Sequence, residues 1–208
     1  GLYTSTSGRV GAAGSTGVFN YVNTFEGITL NAAFRKGSGT ALADGASSNA
    51  GQGAYDFALT TDGSLVGLDG LAMGVGYGEK AQDSSTTVYG DAEHTTAFVN
   101  YSVGPVTFGF QQSYMDSNKH GTADQDAQRW GIAFNINENL SVSYGEADTK
   151  FDGYASGGSD VEENIEGIAV AYTMGSMKIA GNMNDGSNLG GVSAANDSMT
   201  EIAVSFAF

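Results

Sequence analysis

The chain has 208 residues, 23 acidic against 8 basic side chains for a formal charge of −15, and no cysteine. The missing cysteine excludes a disulfide framework and any thiolate metal site or nucleophile. The acidity opposes nucleic-acid binding, which depends on neutralising phosphates.

Proline occurs once and glycine 32 times. So little proline argues against a disordered linker protein, and so much glycine inside strand-like runs calls for close approach, bends or a crowded interior. Residues 18–36 read as an alternating run, the turn Glu26–Gly27 and a second alternating run. Residues 54–80 repeat the phrase with a turn near Asp69–Gly70, and residues 94–115 with Gly104–Pro105. Residues 127–147 repeat it with Asn137–Asn139, and residues 164–183 with Gly175–Ser176. A last run, 199–208, stands alone and ends EIAVSFAF. Period-two alternation means strands with two unlike sides, so the chain is all-β, with about eleven strands of roughly nine or ten residues. A twelfth has room only in residues 1–14 or 62–69. No stretch approaches the ~20 apolar residues of a membrane helix. No basic and then apolar leader opens at Gly1, so the chain reads as mature or as lacking its start.

Long polar stretches at 37–53, 81–93, 116–126, 148–163 and 184–198 alternate with the short turns. Short turns at one end and long loops at the other are the layout of a transmembrane antiparallel up-and-down β-barrel. One face of the strands carries residues such as Leu71, Met73, Val75 and Tyr77, or Ile202, Val204, Phe206 and Phe208. The other carries Thr107, Gly109, Gln111 and Ser113, or Ser141 and Ser143. Alternation alone fits a soluble sandwich, with the apolar face inward, as well as a membrane barrel, with that face in lipid. Three features favour the barrel. Aromatic residues, among them Tyr21, Phe34, Tyr77, Tyr101, Tyr114, Tyr144, Tyr172 and Phe208, lie near strand ends, as an interfacial girdle requires. The opposite face is small and hydroxylic. Acids crowd the long stretches, while the middles of the apolar face are nearly uncharged, where a charge costs a few kcal/mol.

Two segments carry a family resemblance. EIAVSFAF ends in Phe208, and SGRVGAAGSTGVFNYVNTFEGITLNAAF fills residues 7–34, with EGITL, DGLAM and GPVTF repeating one phrase after short turns. In these the chain resembles the general diffusion porins of Gram-negative outer membranes, the alphaproteobacterial type above all. The resemblance implies an outer-membrane barrel of about sixteen strands, of which this chain holds the carboxy-terminal part. It implies that residues 1–17 are the end of an inward-folded constriction loop, and that 18–208 form one barrel domain. It also implies a homotrimer in contact with lipid and lipopolysaccharide, passing small hydrophilic solutes and ions by passive diffusion. Phe208 would be read by the barrel-assembly machinery. Arg9 matches a wall arginine of the pore eyelet, part of a transverse field across the constriction; the plainer reading is a solvated loop arginine.

By parity Arg35, Arg129 and Lys178 point into the lumen and could extend a basic ladder along the wall. The acid-rich stretches 116–126 and 146–163 raise Ca2+ binding, though neither has the spacing of an EF-hand and a solvated surface accounts for both. No catalytic group and no cofactor stand out. His94 and His120 lie at loop edges with Asp91, Glu93 and Asp116 nearby, GAAGSTG at 11–17 lacks the lysine of a phosphate loop, and Trp130 reads as an interface anchor. Two other functions fit less well: a smaller outer-membrane barrel acting as enzyme or adhesin, and a secreted Gly-rich acidic β-protein of the cell surface.

Overall fold

The computed structural model describes residues 18–37, 53–82, 90–153 and 158–207. Eleven strands appear among them: β1 (Val18–Phe25), β2 (Ile28–Arg35), β3 (Ala54–Asp62), β4 (Leu71–Lys80), β5 (Ala92–Val103), β6 (Val106–Asp116), β7 (Gln125–Asn135), β8 (Leu140–Phe151), β9 (Val161–Met174), β10 (Met177–Ser187) and β11 (Asp197–Phe206). They form one sheet in chain order, every neighbour antiparallel. Among the described residues the sheet does not close: β1 pairs with β2 alone and β11 with β10 alone.

The tight turns have a local cause. Glu26 and Gly27 link β1 to β2 with φ of 47° and 80°. Positive φ at both central residues is the type I′ geometry, whose twist matches that of the flanking strands, and glycine takes it without a Cβ penalty. Gly104–Pro105 and Gly175–Ser176 close two further hairpins, each with its positive φ on the glycine. Residues 62–69 hold no strand. Asp62 caps a 3-10 turn over Gly63–Val66, its carboxylate accepting from the Ser64 amide at 3.0 Å. All these connections lie at one end of the sheet, and the longer ones lie at the other.

The longer connections are shorter than the sequence suggests. β8 continues to Phe151 and β9 starts at Val161, leaving 152–160 between them; β10 and β11 leave only 188–196. In the upper parts of these strands charged and polar residues replace the outward apolar ones, so the apolar alternation gives no signal there although the ladder continues.

Register settles which face is which. The row Leu71–Tyr101–Phe108–Ile132–Tyr144–Ile168–Met183 crosses seven strands on one side. Five of these side chains, Tyr101, Phe108, Ile132, Ile168 and Met183, are exposed and Leu71 and Tyr144 are half-buried, while Phe19 at 71% and Ile202 at 76% are exposed on the same side. Among the described residues the buried hydrophobic positions are only Ala54 and Ala127. A sandwich would have buried this face against a second sheet. Among the described residues there is no second sheet, and the apolar side looks outward, as it does when the solvent is lipid.

Candidate functional site

The inward face is built by the intervening residues. A cavity of about 400 Å³ lies against it, lined by residues from Asn100 on β5 to Glu201 on β11. One cavity touching seven consecutive strands requires the sheet to curl toward this side. Its floor is a row of cross-strand partners, Gly109, Gly131, Gly145 and Gly167, set between Asn100 and Asn184. Without side chains the row is a shallow trough, and the Asn100 and Asn184 amides lie across its two ends, where a Cβ on Gly109 or Gly167 would meet them. The walls are hydrogen-bonded polar groups. The Asn184 amide donates to Asn182 Oδ1 at 2.8 Å, and the Asn182 amide donates to Glu201 Oε2 at 3.2 Å. Higher on the same inward face, outside the cavity, Gln111 donates to the hydroxyls of Thr96 and Ser113, which themselves lie 2.8 Å apart. The Asn182, Asn184 and Glu201 groups present both donors and acceptors to the cavity.

Charge is divided between the two faces. By register, Asp56, Asp62, Glu163, Asp197 and Glu201 point inward, balanced by Arg35, Lys80, Arg129 and Lys178. Outward point Glu79, Glu93, Asp116, Asp126, Glu146, Asp148, Glu162, Glu166 and Asp185, with Lys150 the one base among the described strand residues on that side. The outward acids lie on the long-loop side of the apolar band, so the acid excess belongs to the strands as well as to the loops. Between acids and band runs an aromatic border. Tyr55 and Tyr77 donate to Glu79 at 2.6 and 3.1 Å, Tyr144 donates to Glu166 at 2.6 Å, and Trp130 packs on Tyr144 with ring centroids 5.5 Å apart. Each ring buries an apolar body beside a polar tip, the arrangement of a membrane interface. Trp130 and Tyr144 lie mid-strand rather than near strand ends, because β7 and β8 extend beyond the apolar band.

The residues singled out in the sequence do not gather in one place. Arg9 and Phe208 fall outside the described residues. Arg35, Arg129 and Lys178 all lie on the inward face, but in separate register rows. On β9, Thr173 pairs with Lys178, whereas Ile165 shares the row of Arg129. Those two positions are eight residues apart, about 26 Å along the strand. Lys178 is exposed near the short-turn end and Arg35 is half-buried at the other. Arg129 is only 3% exposed and lies within electrostatic reach of Glu163. Ile202, Val204 and Phe206 project outward on β11.

His94 faces inward between Gly78 and Met115, while Glu93 and Asp116 pair with each other on the outward side, so the register separates that histidine from those acids. Among the described residues no three histidine or acidic side chains converge to hold a metal ion. Glu163 escaped the sequence reading because it sits in a run of acids that looks like a solvated loop.

A family model described as Gram-negative porin matches residues 1–188. No curated protein matches the chain by sequence. Among solved structures the chain resembles a porin refined at 1.8 Å, with 14% identity, TM-score 0.66, and coverage of 92% of this chain and 61% of that one. It also resembles a loop L8 deletion mutant of OmpT, an outer membrane protein of Vibrio cholerae, with 12% identity, TM-score 0.60, and coverage of 91% and 62%. A third is the outer membrane channel DcaP of Acinetobacter baumannii, with 14% identity, TM-score 0.58, and coverage of 90% and 59%. The chain therefore spans about three fifths of the length of these structures.

Proposed function

The chain belongs to the Gram-negative porin family of the outer membrane, and from that premise we propose that the protein forms a water-filled channel for passive diffusion of small hydrophilic solutes and ions. The observation that carries this reading is the reversed distribution of side chains. Among the described residues the apolar face is outward and packs on no second sheet, and the inward face is a trough of glycines and small residues bordered by hydrogen-bonded polar side chains. A barrel with that distribution encloses water instead of a packed core.

In this reading β1–β11 are part of a closed barrel of about sixteen strands, since an open edge leaves backbone groups unsatisfied in lipid. Three such barrels assemble as a trimer. Arg35 and Lys178 lie on the wall that solutes pass, Arg9 belongs to the constriction, and Phe208 is the signal for barrel assembly. The transport is passive, with no turnover and no cofactor.

The test is swelling of liposomes that carry the intact protein, in iso-osmotic sugars of graded size. A channel gives swelling rates that fall steeply with solute size. Folded, heat-modifiable protein that leaves swelling at the level of empty liposomes would refute the reading.

A further inference from the structure

We propose that the loop between β10 and β11 is an inward-turned element of the channel, and that Glu163 is the positioning residue that latches it; the channel half of this statement rests on the reading above. Three contacts place the loop on the inward face. The Gly190 amide donates to Glu163 Oε2 at 2.6 Å. Leu189 lies over Gly186, where a Cβ would come within 2.6 Å of it. Gly191 lies against the ring of Phe151, 2.7 Å from the position of a Cβ. Glu163, Gly186 and Phe151 all point inward by register. A fourth contact, from the Asn188 amide to the Glu162 carbonyl at 2.9 Å, pins the loop to the top of β9.

The loop is held together internally, so it moves as a unit. Leu189 N donates to Ala195 O at 2.8 Å, Ala194 N to Asn188 Oδ1 at 2.9 Å, and Asn188 N to Asn196 Oδ1 at 3.1 Å. One strong tether is then enough to fix its position. A hydrogen bond to an ionised carboxylate is the strongest available here, and Glu163 is 7% exposed, so water competes for it poorly. Arg129, almost fully buried, lies within electrostatic reach of Glu163 and is withdrawn from passing solutes. The register partners Ser113, Ala127, Thr149 and Glu163 are all buried, so this part of the inward wall is covered rather than open.

The experiment uses the intact protein and Glu163→Gln, with exchange of the Gly190 amide and single-channel conductance read on the same preparations. The expected result is at least tenfold faster Gly190 exchange and a larger, noisier conductance. Gly191→Val approaches the latch from the loop side, forcing a side chain into the Phe151 ring while leaving Glu163 and Arg129 intact. It is expected to give the same pair of changes, and it serves if Glu163→Gln fails to fold. Unchanged Gly190 exchange in the folded variants overturns the latch. Faster exchange with unaltered conductance overturns the claim that the latched loop narrows the channel. A wild-type protein that does not conduct sinks the channel reading, and the latch is then decided by exchange alone.

Discussion

Val170 offers a quantitative test of the outward face. On β9 the apolar band runs through Ile168, Val170, Tyr172 and Met174. These span six residue steps, about 20 Å along the strand, and at a tilt of ~40° about 15 Å across the membrane. Ile168 is the cross-strand partner of Tyr144 in the aromatic border, which fixes the upper edge of the band. Val170 lies two residues below that edge, within about 3 Å of the middle of the band. A charge on the lipid face at such a depth costs about 2–4 kcal/mol, which corresponds to a roughly 30- to 900-fold loss in the folding equilibrium. Val170→Arg should show that loss in urea-dependent folding of the intact protein into phospholipid vesicles. Two controls bracket it. Ala169→Arg, the adjacent residue turned inward beside Ser143 and Asn182, should cost under about 1 kcal/mol, because lumen substitutions tune selectivity rather than stability. Ser198→Arg, outward but above the border beside Asp185, should cost about 0–1 kcal/mol. If Val170→Arg cost no more than Ser198→Arg, the assignment of a lipid-facing band would be wrong.

Trp130 is the only tryptophan, so its fluorescence reports the height of the aromatic border. Quenchers near the headgroups should extinguish it more than quenchers at the bilayer centre, and a spectrum insensitive to any lipid-bound quencher would contradict the placement. Glu26→Asn should stabilise the protein by about 0.4–1 kcal/mol, because asparagine adopts the positive φ of the I′ turn more readily than glutamate; a loss of stability would contradict the turn assignment. The Asp160 carboxyl is held below its ordinary value, first by the Lys150 ammonium 2.8 Å away and then by the Gly153 amide. A depressed folded value means the contribution is complete above the unfolded carboxylate value of ~3.9 and is lost as pH falls through the folded value. NMR titration of Asp160 should therefore give a midpoint below ~3.9, and a midpoint at or above it would refute the contact. Both partners are about half exposed, so Asp160→Asn should leave global stability nearly unchanged.

What the sequence made legible follows from where lipid meets protein. From Ile168 to Met174, and along β2 to β4, one side of each strand is apolar and the other small or polar, so parity alone assigned faces that the register reproduces. Above the aromatic border the apolar band ends. In Glu146–Phe151 outward charges alternate with Ala147, Thr149 and Phe151 on the inward side, so a continuing strand with charge where the band had apolar residues looks like a loop. The turn near Asp69–Gly70 leads directly into Leu71, with Gly70 at φ 81°, but the Asp62–Ser64 cap that ends β3 before it gives a weaker local signal. Parity also placed Arg129 on the inward face. It could not show that Glu163, two strands away in the fold and 34 residues on in the chain, comes within electrostatic reach of it and accepts from the Gly190 amide, because those contacts depend on register across β8.

The central claim is that the inward trough belongs to an open aqueous path. Single-channel recording of the intact protein in a planar bilayer, with a salt gradient, tests it most directly. Stepwise openings, whose conductance scales with the bulk conductivity of the electrolyte and whose closures come in thirds, are the expected result. A folded, heat-modifiable barrel that passes no current under any salt or voltage would contradict the account.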